Sequence, residues 1–231
     1  MKKFLKLFFG IILLPSAFFF FYDFLAVVLV LLKNFRMTCS FMIGVIAYLL
    51  CHKFIYNFSR FYVFAHELSH ALAAWCCGYK VSGMKVNKES GHTTVSNVNT
   101  FVLLAPYCFP LYAVICIIFF YVTSLFWKEI LAYDKVFIGL LGFFMTMHLV
   151  HTYKSLTETE QSDISLAGGG VFSFVLIVFV NLTLAVLLIK FLFPSLITPI
   201  SILFEVVEQT ASFWKMFFVY LHNFITWLKN L

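Results

Sequence analysis

Charge is the first thing this sequence has little of. Asp, Glu, Lys and Arg make up 11% of its 231 residues, where an ordinary soluble domain carries about 25%. Hydrophobic residues make up 63%, and mean hydropathy is +0.99. So few ionisable side chains cannot coat a globule of this size, which excludes a soluble fold. A long polar insert is also missing, so nothing between the apolar runs is large enough to be a separate soluble domain. The 6 cysteines fall mostly inside apolar runs and show no C-x-x-C pairing. That excludes a disulfide framework and a cysteine metal cluster, and leaves small buried hydrophobes. The net charge of +6 is scattered over the ends of apolar runs. Such a distribution suits lipid headgroups, and no nucleic-acid partner is expected.

What is present is a series of apolar runs, several of which reach the ~20 residues needed to cross a bilayer. They predict an all-α polytopic membrane protein with about five transmembrane helices, a small β-hairpin and an amphipathic C-terminal helix. The expected layout is one membrane-embedded domain over 1–231, with N-terminal spans at 4–58, a core at 59–193 and the C-terminal helix at 199–230. The first run begins like a signal peptide but continues to Leu32 without a small-x-small site, which predicts an uncleaved span. Pro15 predicts a kink in it, and Asp23 a break or a contact with another helix.

The polar patch His52, Lys53, Asn57, Ser59 and Arg60 predicts a chain break before the next helix, which Ser59 caps and Gly78 ends. Residues 79–100 are the one long polar stretch, and read as a hairpin of VSGMKV and TTVSNV with His92 on its surface. A span at 101–127 carries Pro106 and Pro110, which places it in the bundle interior. The next, 136–153, ends in His148 and His151. Gly168, Gly169 and Gly170 then open an apolar helix to Phe193 with Asn181 midway. From Glu205 onward, polar residues recur on one helical face, with only Thr210 polar among the intervening positions. That stripe predicts a helix lying in the membrane interface in preference to a further span. Basic residues leave the orientation undecided: Lys2, Lys3, Lys6, Lys53, Arg60, Lys128, Lys135 and Lys190 fall on one predicted side, and Lys33, Arg36, Lys80, Lys85, Lys88 and Lys154 on the other, too even a division for the positive-inside rule.

Chemistry concentrates in 65–75, AHELSHALAAW, which contains H-E-x-x-H. Residues four apart share a helix face, so His66 and His70 can hold one zinc, and Glu67 beside them can serve as general base. Ionisable groups inside an apolar helix are costly, and their presence marks a site. Catalytic zinc needs a third protein ligand and an open position. The candidates are His148, His151, Glu158, Glu160 and Asp163. His148 and His151 also suit a supporting role around the ligands. Asn181 reads equally as a donor to a substrate carbonyl or as helix–helix glue. A catalytically inactive scaffold binding protein partners would have no need of Glu67, and a metal transporter would need a polar path that the spans lack.

His-Glu-Leu-Ser-His inside a membrane helix resembles the site-2-protease family of intramembrane zinc metalloproteases, in a small bacterial branch without a PDZ or CBS insert. The hairpin after the motif, the run Asn99-Thr-Phe-Val-Leu-Leu-Ala-Pro-Tyr and Gln161-Ser-Asp-Ile extend the likeness over roughly 59–185. The resemblance implies one zinc per chain held by His66, His70 and Asp163, with Glu67 as the catalytic base. It implies hydrolysis of peptide bonds in or near transmembrane segments of membrane-protein substrates. It further implies a multi-pass protein of a bacterial inner membrane, with the hairpin and Asp163 on the cytoplasmic side. One departure stands out: Ile164 follows Asp163, where the family has glycine.

Overall fold

In hydrocarbon no water is available to backbone N–H and C=O groups, so apolar runs of this length close their hydrogen bonds internally as helices. The structure, a computed structural model, describes residues 3–88, 90–157 and 162–230, the side chain of Met37 excepted. It contains α1 (Lys3–Lys33), α2 (Phe35–Phe54), α3 (Ser59–Cys76), β1 (Val81–Val86) and β2 (Gly91–Val95). These are followed by α4 (Thr100–Cys108), α5 (Leu111–Phe126), α6 (Asp134–Thr157), α7 (Ser162–Ala167), α8 (Gly170–Leu192) and α9 (Pro199–Lys229). The chain is an all-α polytopic membrane protein with one two-stranded sheet. Three helical stretches, Lys3–Lys33, Lys128–Thr157 and Gly170–Leu192, are long and apolar enough to cross a bilayer, and two bent pairs raise the number to five.

The chain divides into two compact units, Met1–Lys33 with Phe174–Leu231, and Asn34–Ser173. In the first, α1 runs unbroken through Pro15 and Asp23. Asp23 does not interrupt the helix; it is buried against α9, where Gln209 Nε2 donates to its Oδ1 at 3.2 Å. Thr210, the one polar residue outside the stripe, donates to the Val206 carbonyl at 2.6 Å and pairs with the Ser16 hydroxyl at 3.2 Å in the same seam. Trp214 Nε1 adds a bond to the Ile12 carbonyl. The seam therefore uses a face on which Ile202 and Val206 are buried, and leaves Glu205, Glu208, Ser212 and Lys215 exposed.

In the second unit α2 packs along α6 with their backbones in touch. A Cβ on Gly44 would overlap the Gly139 carbonyl, and one on Gly142 would overlap the Phe41 carbonyl. Close approach through small residues is how membrane helices gain contact without a hydrophobic driving force. Between α2 and α3 the chain turns by 116°. Ser59 is not the cap expected from the sequence. Phe58 takes a left-handed conformation, and the Asn57 side chain accepts from the Ser59 N–H at 3.2 Å. Gly78, with φ of 74°, ends α3 as expected.

Two further expectations are corrected. The 101–127 run is not one helix: it breaks at Phe109–Pro110 into α4 and α5, bent by 72°. Four of the basic residues assigned to opposite sides also meet at one end. His52, Lys53, Asn57, Arg60 and Lys88 line one open cavity of about 480 Å³, and Lys154 Nζ lies 3.1 Å from His52 Nε2. The end of α2, the start of α3, the hairpin tip and the end of α6 thus share one basic pole.

Two predictions follow from this packing. Gly44→Val or Gly142→Val should lower the thermal midpoint of the purified protein, since overpacking costs about 1–3 kcal/mol; Ile43→Val, at a side chain 60% exposed, should leave it unchanged. For α9, single cysteines at Ser212 and Thr226 in a cysteine-free background should react with a membrane-impermeant thiol reagent. Those at Phe213 and Phe217 should not, and protection at all four positions would contradict an interfacial helix.

Candidate metal centre

The His-Glu-x-x-His segment lies in the middle of α3, flanked by Ala65, Ala71, Ala73 and Ala74. Ala73 and Ala74 are almost fully buried, packed with Val102 and Ala105 of α4 and with Val81 and Val95 of the hairpin. Small side chains let both a strand and a helix come close to the motif. His66 and His70 sit one turn apart on the same face, their ring centroids 5.0 Å apart. Asp163, in the first turn of α7, meets them from across the unit. Its Oδ2 is 3.6 Å from His66 Nε2 and 3.3 Å from His70 Nε2. Side-chain exposures of 12%, 13% and 19% leave the trio partly open to one side.

The bonds around this trio orient it. Pro106 has no N–H, so the carbonyl four residues earlier in α4, that of Val102, lacks its helical donor. His70 Nδ1 lies 2.8 Å from that oxygen. A carbonyl only accepts, so Nδ1 carries a proton, and Nε2 is the nitrogen turned to Asp163. Tyr107, the next residue after Pro106, donates from its hydroxyl to Asp163 Oδ2 at 3.3 Å, and its ring stands edge-on to His66 at 5.1 Å. Asn99 caps α4 by accepting from the Val102 N–H at 2.9 Å, and Thr100 ties α4 to the Ala167 carbonyl at the end of α7. Burial opposes ionisation of Asp163, but hydrogen bonds with His66 and His70 outweigh it and hold its carboxyl below the usual carboxylate range. The carboxyl is therefore an anionic oxygen donor.

These residues fit a zinc ion. A tetrahedral zinc with donors at about 2.0–2.1 Å sets those donors roughly 3.3 Å apart. The three donor atoms all lie within 4.8 Å of one another, and the two edges that meet at Asp163 Oδ2 are 3.3 and 3.6 Å. Among the described residues no other group of His, Cys, Asp and Glu donors is placed to share an ion.

The remaining candidates lie elsewhere. His148 is buried in α6 and lines a small cavity with His66, Pro106 and Tyr112, while His151 stacks on Tyr62 at 4.9 Å and meets His52 edge-on. Asn181 is buried in α8, its amide donating to the Ile177 carbonyl at 2.9 Å. Glu158 and Glu160 are outside the described residues. Glu67 is buried with its carboxyl against β2. Ile164 in place of the family's glycine is accommodated, because α7 continues through it and the positive-φ positions come later, at Gly168 and Gly169.

Tyr107, Val102 and Thr93 were not legible as site residues in the sequence. The available signal was Pro106, since a proline inside a helix frees a carbonyl that then seeks a donor.

No curated protein and no solved structure matches the chain. A family model described as Peptidase M50B-like matches residues 38–225, a range that contains α3, the hairpin, α4 and α7 whole. A His-Glu-x-x-His helix with an aspartate brought against it, in a polytopic membrane fold, is the arrangement expected of that family, and the chain belongs to it: it is a member of the Peptidase M50B-like group of site-2-protease-type membrane metallopeptidases.

Proposed function

We propose that this protein is an intramembrane zinc metalloprotease that hydrolyses peptide bonds in or near transmembrane segments of membrane-protein substrates. The observation that carries this reading is the convergence of Asp163 of α7 on His66 and His70 of α3, the helix that also carries Glu67. Zinc bound there supplies Lewis acidity towards a scissile carbonyl and activates water near neutral pH. His66 and His70 contribute neutral imidazole donors, the second locked in its tautomer by Val102. Asp163 contributes the anionic donor, kept in place by Tyr107. Glu67 takes a proton from the attacking water and returns it to the amine nitrogen as the C–N bond breaks.

A transmembrane substrate hides its amides in helical hydrogen bonds and must unwind before its carbonyl can be reached. A free edge of the hairpin offers backbone partners to such an unwound segment by strand addition. Substrates with Gly or Pro in the cleaved segment are favoured for the same reason. We place the protein in a bacterial inner membrane with the basic pole towards the cytoplasm. Lys53, Arg60, Lys88 and Lys154 gathered there support that orientation under the positive-inside rule.

The test uses the purified full chain and a reporter with one leucine-rich transmembrane segment interrupted by Gly-Pro. Elemental analysis should find one zinc per chain in the wild type and in Glu67→Gln. His66→Ala, His70→Ala and Asp163→Asn should each lose most of it, and His151→Ala should keep it. Reporter cleavage should fall by at least ~100-fold in Glu67→Gln. Full cleavage by Glu67→Gln, or zinc that survives all three ligand substitutions, would overturn the reading. For orientation, a single cysteine at Lys88 should be labelled by an impermeant reagent only from the cytoplasmic face of sealed vesicles.

A further inference from the structure

Glu67 is 6% exposed, and the group that meets it comes from the hairpin, not from the metal trio. Thr93 Oγ1 lies 2.7 Å from Glu67 Oε2 and 3.0 Å from the Glu67 carbonyl oxygen. A threonine hydroxyl has one proton to give, and the shorter contact is the one to the carboxyl. Two residues earlier, Gly91 faces the same side chain. A Cβ there would stand 2.5 Å from Glu67 Cγ, 2.6 Å from Oε1 and 2.8 Å from Cδ. Residues i and i+2 of a strand share a face, so Gly91 and Thr93 form one notch on β2 that receives the whole carboxyl. His92 and Thr94 point the other way and are exposed. The register, Gly91 opposite Val86 and Thr93 opposite Met84, ties the notch to β1.

We propose that Thr93 is the positioning residue for Glu67, with Gly91 as the gap that admits it, so that β2 holds the general base in its working orientation. The proposal rests on the assignment of Glu67 as base. An untethered glutamate side chain samples several rotamers and spends part of its time turned away from the reacting atoms. The Thr93 hydrogen bond fixes Oε2, and the absence of a side chain at Gly91 leaves room for Oε1. Because the same strand pair offers the substrate its edge, displacement of the hairpin on docking reaches the base through a single hydrogen bond. A merely structural role predicts something else: a buried carboxyl stripped of its donor is costly wherever it sits, so stability and metal content would fall together with activity.

The experiment compares Thr93→Val, Thr93→Ser, Gly91→Ala and Glu67→Gln on the Gly-Pro reporter, with zinc content and thermal midpoint measured on each. Thr93→Val keeps the shape of threonine and removes the hydroxyl. Its kcat should fall about 10-fold to 100-fold, the usual scale for a group that orients a catalytic side chain, with KM and zinc stoichiometry unchanged. Thr93→Ser keeps the donor and should restore most of kcat. Gly91→Ala should lower kcat as Thr93→Val does. Wild-type or raised kcat in Thr93→Val overturns the proposal, as does a loss that appears in KM or zinc content instead of kcat, or a Thr93→Ser variant no better than Thr93→Val. If Thr93→Val is unaffected while Glu67→Gln is inactive, the positioning role alone fails; if Glu67→Gln is active, the assignment of the base fails and the positioning role with it.

Discussion

A polar group at membrane depth must find its partner inside the protein, and the centre of this molecule is built around that constraint. Each place where a helix is interrupted frees backbone groups that hydrocarbon cannot satisfy. Pro106 frees the Val102 carbonyl, and His70 takes it up. The Gly168–Gly169 turn after α7 is closed by the Gly169 N–H and the Ser173 hydroxyl, both donating to the Ile164 carbonyl. The α2–α3 break is closed by Asn57 and by a left-handed Phe58 packed among Tyr48, Tyr56, Phe61 and Phe143. At α4 the repair of a broken helix and the orientation of a candidate ligand are the same bond.

Close approach is the second theme, and it uses the smallest side chains. Ala73 and Ala74 bring α4 and the hairpin against the motif helix, Gly44 and Gly142 bring α2 against α6, and Gly91 brings β2 onto Glu67. The inner face of the hairpin lies on α3, through Val81, Val95 and Thr93. That placement puts β2 within one side chain of the proposed base.

Much of this was legible in the sequence, and the reasons are physical. The apolar runs announced the class. The His-Glu-x-x-His spacing announced a pair of histidines one turn apart, because helical periodicity alone puts His66 and His70 on one face. The hairpin was visible in the alternation around Gly83 and Thr93, and the chain break in the cluster from His52 to Arg60. Asp163 needed a family resemblance, since it lies 93 residues after His70 and no local pattern links them. Three features were out of reach. The bend at Pro110 depends on what packs beside it, and two prolines in an apolar run fit a kinked span equally well. The basic pole was missed because α3 folds back by 116° and the hairpin runs back along it, so residues assigned to opposite sides by counting spans end up together. Thr93 was one threonine among several in a polar stretch until its partner was known.

The most direct measurement of the central claim is zinc K-edge X-ray absorption on the purified full-length protein. Two imidazole nitrogens and one carboxylate oxygen from α3 and α7 predict a first shell of N and O scatterers at about 2.0–2.1 Å with imidazole multiple scattering and no sulfur. A zinc–sulfur shell at about 2.3 Å would instead place the ion among the cysteines, and a protein that binds no zinc would leave the three side chains as an ordinary buried ion pair.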